Sequence, residues 1–119
     1  MIKVTQEEVN EAVRLHGLWL KDSRAGERAN FSNKNLSGLD FSGADLRNAS
    51  LSGAYLIDVN LNNADLSGAN LMDADFIGAD LSGANLRRTD LRESILDGAT
   101  YNSKTIFPDL GDNMIFKED

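Results

Sequence analysis

The chain has 119 residues, a formal net charge of −7 and no cysteine. That length fits one domain, and the missing cysteines exclude disulfides and thiolate metal sites. The negative balance argues against direct binding to nucleic acid or to an anionic membrane surface, since both are gripped through Lys and Arg.

The first segment, MIKVTQEEVN, has no apolar run of the kind that opens a signal peptide. No stretch approaches the ~20 apolar residues of a membrane span, so a cytoplasmic location is the expectation. Thr5 is placed as a helix N-cap with Glu8 completing a T-x-x-E capping box, and Val4 and Val9 stand at the staple positions. Val9, Ala12, Val13, His16, Trp19 and Leu20 keep helical spacing, so the pattern predicts a helix from about Gln6 to Lys21 with one apolar face. Residues 1–28 then form a capping helix and a link through Gly26. His16, the single histidine, reads as a packed structural residue rather than a base, because nothing beside it makes a nucleophile or a pocket.

From Phe31 a Leu or Phe recurs at every fifth residue up to Leu96, and Tyr101 and Ile106 continue the spacing. Five fits neither a helix nor a strand period. A short fixed repeat of this kind builds a solenoid, whose core is continuous only through stacking. Two residues before each centre stands a small residue, most often Ala; one before it, Asp or Asn; one after it, often Ser; two after it, often Gly. Residues two apart on an extended segment point the same way, so the centre and the Ala face inward and the Asp or Asn faces water. The Gly slot matches the third position of a type II turn, which needs positive φ. Asn33, Asn48, Asp58, Asn63 and Asp73 replace Gly there and tolerate that backbone well, whereas Arg88, Glu93 and Ser103 break the rule and predict a looser or different last coil. Leu39 and Val59 share the small slot 20 residues apart, as Ile57 and Ile77 share the serine slot. A 20-residue coil follows, with stacked columns such as Leu36–Leu56–Phe76–Leu96, Phe41–Leu61–Leu81–Tyr101 and Leu46–Leu66–Leu86–Ile106.

The segments ADLSGANL and SGADLRN resemble the A(D/N)LxX motif of the pentapeptide-repeat family. The resemblance covers residues 29–103, fifteen consecutive pentads. It implies an all-β fold: a right-handed, four-sided (quadrilateral) β-helix solenoid of about four coils, here with an N-terminal α-helical cap. Residues 104–119 hold Phe107, Leu110, Met114, Ile115 and Phe116 around Pro108 and Gly111. This tail either covers the last coil or docks on another chain; capping is preferred, because an open solenoid end is a liability.

The interior is filled by side chains, and no catalytic residue, cofactor or metal is expected. Outward columns such as Asp40–Asn60–Asp80 and Asp45–Asp65 are flat and do not converge as calcium requires. Arg47, Arg87 and Arg88 read as a solvated face. One side departs from the polar rule: around Leu36, Leu56, Phe76 and Leu96 the outward slots hold Tyr55, Ile57, Ile77 and Ile95. A clustered apolar patch on a polar solenoid marks an interface, unless the chain's own ends lie across it. The expected function is therefore a non-enzymatic structural or interaction module whose partner is another protein or a second copy of itself. Some members of the family are acidic, DNA-like dimers that bind gyrase, so the resemblance also implies an alternative, a DNA-mimicking regulator of type II topoisomerases. Against it, the chain is short, Asn and Ser dilute its charge, and no dimerising C-terminal helix is evident.

Overall fold

A computed structural model of the chain describes residues 2–109. Helix α1 spans Gln6–Lys21, the range the capping box and apolar spacing predict. Thr5 Oγ1 accepts the Glu8 N–H at 3.2 Å and Glu8 Oε1 accepts the Thr5 N–H at 2.9 Å, so each end of the box satisfies the other's donor.

From Asn30 onward the chain pairs through single parallel bridges, all but the last joining residues 20 apart: Asn30 to Ser50, Asn35 to Tyr55, Asp40 to Asn60, Asp45 to Asp65, and so on up four columns. The result is a four-sided coil. The bridges stay one residue long because each pentad leaves few extended residues between one corner and the next. The central N–H donates upward, as Phe31 does to Ser50 O at 2.7 Å, and the residue before the next centre donates downward, as Ser50 does to Ala29 O at 3.1 Å.

At the corners a backbone N–H returns to the central carbonyl three residues back, as Ala44 does to Phe41 O at 3.0 Å. The third residue of each corner has positive φ from Asn33 through Gly98, which matches the type II requirement. Arg88 and Glu93 also take φ of 57° and 61°, so the chain turns there as it does elsewhere. Glycine answers a second demand as well. A Cβ on Gly53 would collide with Asn33 Oδ1 of the coil beneath, and one on Gly83 with Asn63 Oδ1.

The central column residues Leu36, Leu56 and Phe76 are wholly buried, as are Leu46, Leu51, Leu66 and Leu71. Each contributes roughly 1.5–3 kcal/mol by leaving water. Ala fills the space between them. Where Thr89 and Ser94 take the small slot, their hydroxyls donate to Leu86 O at 2.8 Å and Leu91 O at 2.7 Å and are buried without loss.

The last coil differs from the sequence columns. Ile106 pairs with Asn85, not with Leu86, so one extra residue lies between Tyr101 and the next bridge. Ile106 therefore takes the outward slot, and Phe107 packs against the core in its place. The unit after Tyr101, with Ser103 at its corner, is held by side chains instead. Thr105 Oγ1 donates to Leu81 O at 2.9 Å and accepts the Gly83 N–H at 3.2 Å, and Asn102 Oδ1 accepts the same N–H at 3.1 Å. In the coils below, that N–H meets a main-chain carbonyl, as Gly43 meets Asn62 O at 2.8 Å. Tyr101 is 65% exposed rather than enclosed in its column. Residues 110–119, most of the expected tail cap, lie outside the described residues.

A candidate protein-interaction face

Two outward columns flank each central column. On the second face one column reads Lys3, Asn35, Tyr55, Asp75, Ile95, fixed by the bridges that join them. The other contains Ile57 and Ile77, whose carbonyls accept the N–H groups of Gly38 at 2.8 Å and Asp58 at 2.9 Å. Tyr55 is 42% exposed and Ile77 is 40% exposed, while Ile57 and Ile95 are half-buried. The four residues singled out in the sequence thus share one face. The N-terminal segment does not lie across them. It joins the edge instead, with the Val4 N–H on Asn35 O at 3.0 Å, and extends the face by one row.

Sequence reasoning missed what the slot before the centre does. Asp and Asn there do more than face water. Their Oδ1 accepts the N–H two residues on: Asn35 from Ser37 at 3.1 Å, Asp40 from Ser42 at 2.8 Å, Asp65 from Ser67 at 3.0 Å. This Asx turn fixes the start of each corner, and the recurrent D/N-x-S spacing was its signal. Tyr55 and Ile95 occupy the same slot and cannot make that bond. The second face therefore gives up a local hydrogen bond at two rows in exchange for exposed apolar surface. Asp75 keeps it, with Oδ1 accepting the Ile77 N–H at 3.0 Å, and sits in the middle of the patch.

The other faces are polar. Asp40 and Asp80 are held below the usual carboxylate range, chiefly by the backbone N–H groups of Ser42 and Ser82. Asp45 and Asp90 are lowered first by their bonds to Arg47 and Arg92. Arg47 grips Asp45 with two bonds of 2.8 Å, and Arg87 and Arg88 are exposed, in keeping with a solvated face. No group of three His, Cys, Asp or Glu among the described residues is placed to hold a metal ion. His16 is fully buried and spent on structure: Nδ1 accepts the Ala29 N–H at 2.9 Å, which leaves Nε2 to donate to Arg47 O at 2.8 Å. An open groove of about 540 Å³ runs between α1 and the first coil, where Glu7, Glu8, Glu11 and Glu27 face Arg28. No helix among the described residues is long and apolar enough to cross a membrane.

The family model described as pentapeptide repeats matches in eight copies, over residues 27–63, 35–71, 54–92 and 69–100. Among solved structures, a pentapeptide repeat protein of the Arabidopsis thaliana thylakoid lumen is 40% identical, with a TM-score of 0.66 over 67% of this chain and 55% of that chain. The chain thus spans little more than half the length of that relative. HetL, a pentapeptide repeat protein involved in heterocyst differentiation regulation in the cyanobacterium Nostoc, is 32% identical over 69% of this chain and 42% of its own, with a TM-score of 0.40. A second Nostoc pentapeptide repeat protein is 28% identical over 89% of this chain and 93% of its own, with a TM-score of 0.40. No curated protein matches.

Proposed function

The chain belongs to the pentapeptide-repeat family, and we propose that it is a non-enzymatic interaction module: a right-handed four-sided β-helix of about four coils that offers its second face to a protein. Residues 1–28 serve as cap and link and residues 29–103 as the solenoid. The observation that carries this role is local. Tyr55 and Ile95 stand where most repeats gain an Asx bond, and with Ile57 and Ile77 they cluster on one face. A residue that breaks a local rule without a structural gain argues for function.

The test is binding by the immobilised chain, compared between wild type and the double variant Ile57→Glu, Ile77→Glu. Both positions point outward, so the variant is expected to melt within a few degrees of wild type. A partner that is retained by the wild type, lost by the variant, and rebinds as a purified protein supports the role. A partner retained equally by both moves the interface to a polar face. Charge-driven binding to gyrase would weaken steeply with salt, whereas contact through the second face should be nearly indifferent to it.

A further inference from the structure

We propose that the occupant of the second face is a second copy of this chain, paired antiparallel about a two-fold axis that lies along the strands between the Tyr55 and Asp75 rows. This rests on the interaction role above and specifies its partner. Adjacent rows lie about 4.8 Å apart, and the bridges place Tyr55 one row below Asp75 in one column, as Ile57 lies one row below Ile77 in the other. A two-fold axis along the strands reverses the order of rows and keeps each column opposite itself. Tyr55 then meets Asp75 of the partner subunit, and Ile57 meets Ile77 of the partner subunit, each contact occurring twice.

Three features fit that arrangement. The longest side chain of the patch stands opposite one of the shortest, so two flat faces can close on each other. The Tyr55 hydroxyl has no partner among the described residues, and Asp75 spends only Oδ1, on the Ile77 N–H at 3.0 Å. A phenol donating to a carboxylate makes one of the stronger hydrogen bonds available, so both groups are satisfied on burial. Two other two-fold choices fail on the same residues. An axis along the solenoid would set Asp75 against Ile77 of the partner subunit and bury a carboxylate on hydrocarbon. An axis through the Asp75 row would set that carboxylate against its own copy.

The patch is small beside the ~1,200–2,000 Å² buried in a stable complex, and each copy carries −7. The dimer is therefore weak, and added salt should tighten it by screening the repulsion between copies.

Sedimentation equilibrium over a concentration series, up to the millimolar range, tests this. Wild type should dimerise, more tightly at about 0.3 M salt than at low salt. Tyr55→Phe should weaken the dimer by tenfold or more. Ile57→Lys alone and Ile77→Glu alone should be monomeric. An equimolar mixture of those two variants should recover a heterodimer, because one contact becomes an ion pair and the other stays Ile on Ile. Circular dichroism of each variant verifies that the fold is kept. A wild type that stays monomeric throughout, or a mixture that recovers nothing while wild type dimerises, overturns the antiparallel pairing. If wild type is monomeric but loses a purified partner on Ile57→Glu, Ile77→Glu, the interaction role stands and only the second copy is refuted. If neither association exists, both fall.

Discussion

The two ends of the stack meet the same exposed backbone with different means. At the N-terminal end, side chains imitate the coil that is not there. The Gln6 amide donates to Asp40 O at 2.8 Å and accepts the Asp40 N–H at 2.8 Å, the pair of bonds a peptide unit would make. His16 and Arg28 serve the fourth face in the same way, through Arg47 O at 2.8 Å and Asn48 O at 2.7 Å, and Val4, Ala12 and Val13 pack on the core. At the other end the coil itself is altered. One residue is inserted after Tyr101, Thr105 and Asn102 replace a main-chain acceptor, and a central aromatic is left 65% exposed. The comparison teaches that the lower end is sealed by matched polar groups over a buried ring, while the upper described end is held by repairs nearer to water.

Equal truncations at the two ends should therefore cost unequal amounts. Phe31 is 4% exposed and meets Phe41 edge to face at 5.7 Å. Phe31→Ala should lose about 3–5 kcal/mol. Tyr101 sits edge to face on Phe107 at 5.3 Å but is mostly in water, and Tyr101→Ala should lose less than about 1 kcal/mol. Urea unfolding of both variants measures the difference, and equal losses would break the comparison.

The polar seals should differ in the same sense. His16→Ala leaves the Ala29 N–H and the Arg47 carbonyl without their partner in a buried site and removes the stack on Trp19. About 2–4 kcal/mol is the expected loss. Thr105→Val removes bonds to Leu81 O and the Gly83 N–H where water can take over, for about 1 kcal/mol. Gln6→Ala should also cost about 1 kcal/mol, because the Asp40 backbone it serves is exposed.

Much of this was legible beforehand. The five-residue spacing gave the solenoid, the Leu39/Val59 and Ile57/Ile77 pairs gave the 20-residue coil, and Thr5 with Glu8 gave the helix start. Three features were not read. The extra residue before Ile106 was hidden because Ile106 still falls on the five-residue grid, and apolar character alone does not separate it from Phe107. The imitation of backbone by Gln6 depends on where α1 docks, which helical spacing does not fix. The third lay in plain view: Asn33 precedes Gly53 by one coil, as Asn48 does Gly68, Asp58 does Gly78 and Asn63 does Gly83, and in each pair the lower Oδ1 fills the space that a Cβ on the next corner would take. For the candidate face, the four apolar positions were legible, while Asp75 at their centre becomes visible once the columns are drawn.

The smallest expected effect compares one motif at both ends. Asp45 is gripped by Arg47 beside the capped end, and Asp90 by Arg92 in the last stacked rows, with both carboxyls pushed below their ordinary range by those bonds. A carboxyl lowered on folding adds stability that is complete above its unfolded pKa of about 3.9. That stability is lost as pH falls through the lower folded value. Both sites should therefore weaken the fold only below about pH 4. Asp45→Asn and Asp90→Asn keep an Oδ1 for the Asx bond, as Asn does elsewhere in the repeat, and remove the titration. If the ends differ as their packing implies, Asp45→Asn should flatten the acid limb of global urea unfolding. Asp90→Asn should leave that limb nearly unchanged and flatten only the pH dependence of local hydrogen exchange around its own corner. Equal effects on global unfolding would mean that the stack melts as one unit and that its upper end is held as firmly as its lower.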